Sequence, residues 1–160
     1  MNAATTTAPS DGQYLTFTLG SEAFGIEILR VQEIKGYSAV TPIPNSPAHV
    51  RGVMNLRGAV IAIIDLRQRI ALPPAPYTKF TVIIVVTIGA KVAGLVVDAV
   101  SDVIDLQAPN LAPPPEFDAS VDLSFVTGIG TLPNQLVTLL DVDRIVGFGA
   151  ENLPSIEPAA

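Results

Sequence analysis

The chain of 160 residues contains no cysteine, no tryptophan and a single histidine, and only 15% of its residues are charged. Without cysteine there can be neither disulfides nor thiolate metal sites, and one histidine rules out a histidine-rich metal centre. No metal and no cofactor is expected. The formal net charge of -6 repels phosphate backbones and anionic headgroups, which makes nucleic acid a poor partner. The opening "MNAATTTAPSDGQ" has no basic start and no apolar centre, so it does not read as a secretory signal. Residues 1–13 are expected to be a disordered tail and residues 150–160 a flexible one, and a cytoplasmic address fits the cysteine-free composition.

What the chain does have is apolar surface to place. Hydrophobic residues reach 49%, and the charge content lies well below the roughly 25% of an average domain, so part of the exterior should be apolar. The stretch "FTVIIVVTIGAKVAGLVV", residues 80–97, approaches the length of a membrane span. Lys91 interrupts it, however, and its Val, Ile and Thr content, with Gly89 and Gly94 where a hairpin would turn, favours two strands. No direct membrane insertion is expected.

Alternation marks further strands. In "YLTFTLG" Leu15, Phe17 and Leu19 share one face, and in "FGIEI" Phe24, Ile26 and Ile28 oppose Glu27, so the two segments read as a hairpin. "VQEIKGY" continues as a strand. Pro42, Pro44 and Pro47 should stop regular structure, with Pro47 opening a short helical turn. Two strands within residues 53–64 join through Asn55 to Gly58, and Asp65 caps a short helix, "DLRQRI".

The chain also repeats itself. Gly20, Gly25, Val31 and Ile34 match Gly89, Gly94, Val100 and Val103 at an offset of 69, and "IAIIDLRQRI" matches "VTLLDVDRIV" at 76. Two approximate copies, residues 14–78 and 79–149, would each supply about five short strands, and five strands hide their edges most economically as a small barrel. The expected fold is therefore all-β with short helices: two five-stranded barrels around a shared hydrophobic core.

Candidate chemistry is sparse. Asp98, Asp102 and Asp105 lack the glycine and terminal glutamate of a calcium loop and read as a solvated strand edge. His49 has no nucleophile motif near it, and "TGIG" lacks the third glycine and the helix that would hold a phosphate. Arg67, Arg69 and Arg144 follow helix-capping aspartates and complement helix dipoles. No catalytic residue is expected. Arg57 and Glu33 differ, because each is embedded in an apolar segment. A guanidinium and a carboxylate so placed can form a two-pronged pair holding "NLRG" against "VQEI", as a structural stitch or as part of a contact surface; both readings remain open.

At these residues the chain resembles the CheW coupling proteins of bacterial chemotaxis. The resemblance runs from Tyr14 to Gly147 through "YLTFTLGSEAFGIEILRVQEIKGY", "PAHVRGVMNLRGAVIAIIDLR", "GLVVDAVSDVIDL", "PPPEF" and "TGIG". It implies two SH3-like β-barrels and a non-enzymatic adaptor that joins the cytoplasmic tips of chemoreceptors to the histidine kinase CheA. Matching motif positions for the receptor-facing groove are Val31, Glu33, Gly52, Asn55, Arg57, Val82, Gly94 and Gly128. The kinase contact implied is a head-to-tail pairing of like barrels through their ends, which can close into rings with the kinase regulatory domain. "KGYSAVTPIP" is richer in proline than the family pattern, which puts partner selectivity in question. The competing reading from another class is a small-molecule carrier with a pocket in or between the barrels.

Overall fold

The computed structural model describes residues 11–38, 40–114 and 124–151. Strands β1 (Gly12–Leu19) and β2 (Glu22–Glu27) form the first hairpin, turning at Gly20 with a φ of 67°. Gly12 and Gln13 thus belong to the sheet. A short 3₁₀ turn leads into β3 (Val31–Gly36), and β4 (Val50–Leu56) and β5 (Ala59–Asp65) make a second hairpin that runs into helix α1 (Leu66–Arg69). Asp65 caps α1 as expected, its carboxylate accepting from the Gln68 N–H. The chain then repeats the order: β6 (Val82–Ile88), β7 (Lys91–Val97), β8 (Ala99–Leu106), the two-residue β9 (Leu111–Ala112), β10 (Val126–Leu132), β11 (Gln135–Leu140) and helix α2 (Val142–Glu151).

These strands form two sheets, ordered β8-β1-β2-β11-β10-β9 and β3-β6-β7-β5-β4. Each contains strands from both parts of the chain. The first hairpin, β1–β2, lies between β8 and β11, while β6–β7 lies between β3 and β5, so the two hairpins have exchanged places. Each exchanged hairpin meets one new neighbour in parallel, β2 beside β11 and β7 beside β5, and the other antiparallel, β1 beside β8 and β6 beside β3. Beyond β3 the chain bends and returns to β4, where Thr41 and Val53 exchange two backbone hydrogen bonds of 2.9 Å. Beyond β8 it returns as β9 against β10. Each sheet is thereby drawn toward a small SH3-like barrel, in agreement with the expected class.

The exchange explains the apolar run at residues 82–88. Strands β6 and β7 are walls common to a barrel interior and to the core between the barrels, and a strand buried on both faces cannot alternate. Ile83, Val85 and Val96 join Met54, Leu56, Ile61 and Ile63 inside one barrel. Ile84, Val86, Leu95 and Val97 turn the other way, into a core shared with Leu15, Phe17, Leu19, Phe24, Ile26, Val142, Ile145 and Val146. The other barrel is filled by Tyr14, Leu106, Val137 and Leu139. Each fully buried aliphatic side chain contributes about 1.5–3 kcal/mol, so the shared core dominates the attachment of one sheet to the other.

Two local expectations change. Pro47 opens no helix; its carbonyl accepts the Val50 N–H at 2.9 Å in a turn leading into β4. Gly94 lies within β7, not at a bend, because the hairpin turns at Gly89 alone. Most of "PPPEF" falls outside the described residues. Among the described residues no helix is long and apolar enough to cross a membrane.

Candidate functional site

Strand β3 and the β4–β5 turn build the most chemically distinctive surface. Leu56 and Ala59 pair across a two-residue turn whose members, Arg57 and Gly58, both have positive φ, 52° and 89°. That combination suits the right-handed twist of a hairpin. Glycine adopts it freely, whereas Arg57 is held there at a conformational cost. Asn55 supports the turn, its side-chain oxygen accepting the Gly58 N–H at 3.0 Å. From this position Arg57 Nη1 donates to Glu33 Oε2 at 2.5 Å. The hydrogen bond from Arg57 is the main reason the Glu33 carboxyl lies below the usual carboxylate range, and Glu33 in turn raises the guanidinium.

The pair is a rim feature. Arg57 is 66% exposed and Glu33 25%, so it is solvated to an extent that a buried stitch would not be. The structure brings together the two partners that the sequence pairs, through the Nη1–Oε2 bond and not a two-pronged contact.

Other residues expected at the site fall in three places. Val31 and Val82 are half-buried and pack against the rim of the shared core, Val31 opposite Val86 and Val82 opposite Gly36. Glu33 lies opposite Val85, which points into the barrel, so β3 presents its valine and its carboxylate toward different sides. Gly52, Gly94 and Gly128 are buried in strands and display no side chain. A Cβ on Gly52 would collide with the Thr41 carbonyl, and one on Gly94 would lie 2.7 Å from Ile83 Cγ2. Their contribution is close strand approach. Gly128 pairs with Leu139 in the other sheet, and no strand pairing joins it to Glu33 and Arg57.

Two residues escaped the sequence reading. Ile34, next to Glu33 in β3, is 42% exposed, and Phe80, just before β6, is 62% exposed. An isolated apolar residue in an apolar chain reads as core, and only its place on the exposed phase of β3 singles Ile34 out.

The remaining candidates do not assemble a reaction centre. Asp98 is bound by Arg67, Asp102 accepts its neighbour's Val103 N–H, and Asp105 accepts from Gln107. Among the described residues no three His, Asp or Glu side chains converge as metal ligands. "TGIG" is part of β10, where a Cβ on Gly130 would approach Leu106 within 2.6 Å. Arg69 donates to the Ile145 carbonyl and lies over the Phe125 ring, joining α1 to the second half of the chain. Its role is broader than a helix-dipole complement.

Exchanged hairpins and two small sheets around one core define a β-barrel scaffold, with a charged turn at its surface. Residues 13–148 match the CheW-like domain family. The chain is 45% identical over 134 residues to the chemotaxis protein CheW of Klebsiella aerogenes, covering 84% of this chain and 81% of that protein. It is 35% identical over 144 residues to the chemotaxis protein CheW of Rhizobium meliloti, covering 90% and 93%. Among solved structures, the scaffolding protein TtCheW from Thermoanaerobacter tengcongensis superimposes with a TM-score of 0.78 at 32% identity, covering 86% of this chain and 88% of that one. The chain belongs to the CheW family.

Proposed function

We propose that this chain is a non-enzymatic chemotaxis adaptor that couples the cytoplasmic tips of chemoreceptors to the histidine kinase CheA. In this reading it is cytoplasmic and joins membrane-associated arrays through its partners. The Glu33–Arg57 pair carries the reading: a two-residue charge device at the surface, held by an unfavourable backbone angle on a strand whose other side carries half-buried Val31. A surface of that kind suits an amphipathic helix, whose apolar side chains meet Val31 and Val82 while the charged pair sets its register. Asn55 holds the turn, Gly52 and Gly94 let strands of the same sheet approach closely, and Gly128 does its work in the other sheet. Kinase binding would use the barrel ends, with head-to-tail contacts that can close into rings.

A small-molecule carrier finds less support, since Met54, Leu56, Ile61, Ile63, Ile83, Val85 and Val96 fill one barrel with side chains. The deciding experiment is co-sedimentation of the purified chain with a receptor cytoplasmic fragment and, separately, with the kinase regulatory domain. Arg57→Ala is expected to abolish the first and spare the second without lowering the unfolding midpoint. Undiminished receptor binding by the variant would remove Arg57 from the contact, and failure of the wild-type chain to bind either partner would overturn the adaptor reading.

A further inference from the structure

The repeat at an offset of 69 sets a second strand edge beside the shared core. Leu15 and Phe17 in β1 correspond to Ile84 and Val86 in β6, and Val31 and Ile34 in β3 correspond to Val100 and Val103 in β8. The pairings correspond as well. Val31 lies opposite Val86 and Ile34 opposite Ile84, as Val100 lies opposite Phe17 and Val103 opposite Leu15, and each ladder is bulged at the same point. Directly opposed residues share a face of a sheet, so Val103 stands on the Leu15 side, toward the shared core. Ile34 and Val103 are each 42% exposed. The β3 edge belongs to the proposed receptor contact, and the β8 edge lies outside it.

Around the two edges the copies differ in charge. Beside β3 stands Arg57, whose counterpart at the offset of 76 is Pro133. Asp105 follows Val103 on the same side of β8 and lies opposite Gln13. Gln13 in turn lines a cleft of about 350 Å³ between the start of β1 and the corner after β2, together with Asp11, Tyr14, Glu27, Ile28 and Leu29. Among the described residues no lysine or arginine lines this cleft, and neither Asp11 nor Asp105 belongs to an ion pair. Leu29 is 90% exposed, on a corner fixed at either side. The Val31 N–H donates to the Ile28 carbonyl, and Arg30 holds Asp143 and the Thr87 carbonyl. In the other corner the counterpart of Leu29 is Asp98, which meets Arg67 of α1, whereas Leu29 turns into solvent.

We propose that the cleft and the β8 edge dock a basic amphipathic segment of a partner protein. One large apolar side chain enters the cleft against Leu29, and lysine or arginine side chains meet Asp11 and Asp105. Charge selects the occupant, since an acidic segment would be repelled by these carboxylates and a basic one steered to them. An anchor already held in place by its clamped corner loses little freedom on binding. The segment docks by its side chains and not as an added strand, because Asp102 already accepts the Val103 N–H at 2.8 Å and so blunts the edge. The inference goes beyond the adaptor reading: this contact is separate from the receptor surface at Glu33 and Arg57, and stands or falls without it.

The test uses the full chain and two synthetic helical peptides, one with a single phenylalanine flanked by lysines, the other with glutamates in their place. In amide-detected NMR titrations the lysine peptide is expected to shift Gly12, Gln13, Leu29 and Val103 to Asp105, and to bind at least about tenfold more tightly than its glutamate twin. Leu29→Ser, a change at an exposed side chain that leaves the unfolding midpoint in place, should weaken it by about tenfold or more. Asp105→Lys should weaken it too. Glu22→Lys makes the same change of charge at the opposite end of the first hairpin and should bind as wild type does. Equal affinity for both peptides, shifts centred on β3, or wild-type binding by Leu29→Ser would overturn the proposal. So would an equal loss in Glu22→Lys and Asp105→Lys, which would reduce the effect to the overall acidity of the chain. Sedimentation of the chain alone decides about a second copy: a dimer that Leu29→Ser dissociates would give the cleft that occupant and overturn the proposal, and a monomer at peptide-binding concentrations supports it.

Discussion

Arg67 grips both carboxylate oxygens of Asp98, with Nε to Oδ1 at 3.0 Å and Nη2 to Oδ2 at 2.5 Å. Its remaining nitrogen, Nη1, donates to the Pro73 carbonyl at 2.7 Å, and Asp98 also accepts the Gly20 N–H at 2.7 Å. One carboxylate thus joins α1, the first hairpin turn and the corner after β7. The hydrogen bond from Arg67 holds the Asp98 carboxyl below the usual carboxylate range, outweighing a smaller opposite effect of burial.

A folded-state pKa below the unfolded one means that Asp98 stabilises the fold above the unfolded value, near 4, and that the contribution disappears as pH falls through the folded value. Asp98 is 35% exposed, so solvent screening reduces the effect, and Asp98→Asn is expected to cost about 1 kcal/mol at neutral pH. Urea unfolding of wild type and variant should show this gap at pH 7 and its closure well below pH 4. A gap that stays constant with pH would assign the loss to packing and not to the ion pair.

A second clamp has the opposite polarity. Arg30, in the corner after β2, donates to both oxygens of Asp143 at 2.7 Å and to the Thr87 carbonyl at 3.2 Å. Asp143 occupies in α2 the place that Arg67 holds in α1, at the same offset of 76 that relates Asp141 to Asp65. Each clamp therefore ties the hairpin corner of one half to the helix of the other, with the charges reversed between them. Joining two like halves would oppose arginine to arginine or aspartate to aspartate. Because Asp143 is 53% exposed, a double-mutant cycle on Arg30→Asp and Asp143→Arg is expected to give a coupling of about 0.5 kcal/mol, with partial recovery in the reversed pair. Recovery should remain incomplete, since the reversed pair lacks the bond to Thr87. Strictly additive losses would show that the clamp does not hold in solution.

The strands were largely legible because their alternation reports burial directly: Leu15, Phe17 and Leu19 do face one core. Glu33 and Arg57 were legible as partners because charges in apolar segments require compensation. Which sheet receives each hairpin was not, since alternation in β1 would look the same beside β8 and β11 as beside any other strands. Arg67 and Asp98 read separately as a dipole complement and a solvated edge. Their union depends on an approach across 31 residues that no local pattern encodes.

Gly52 and Gly94 matched positions expected in the groove, yet their surroundings predict effects on stability. Gly52 has a φ of 145°, and a Cβ there would meet backbone, the Thr41 carbonyl, which cannot rotate away. At Gly94 the obstacles are the side chains of Ile83 and Ile63, at 2.7 and 2.8 Å, which can partly adjust. Gly94→Ala is expected to cost about 1–3 kcal/mol from overpacking, and Gly52→Ala more, because about 1–3 kcal/mol of backbone strain adds to the clash. Thermal unfolding should rank them in that order, with partner binding falling in step with the folded fraction. Loss of receptor binding by fully folded Gly94→Ala would return that position to the contact surface.

His49 offers a separate pH signature. Its Nε2 is buried with no hydrogen-bond partner among the described residues, and its carbonyl accepts the Asp65 N–H at 2.7 Å at the entrance to α1. Burial, reinforced by the nearby Arg69 charge, lowers its pKa below the ordinary value of 6.5. The neutral imidazole is therefore favoured by folding, so stability is complete above about pH 6.5 and declines as pH falls from there through the lower folded value. That window opens at a higher pH than the one set by Asp98. Replacing His49 with Leu removes both the proton-binding group and an unsatisfied buried nitrogen, a change expected to be neutral or slightly stabilising at pH 7. Between about pH 6.5 and 5 the variant's stability should stay flat while that of wild type falls. Parallel curves across that interval would show that His49 protonates as readily in the folded chain as in the unfolded one.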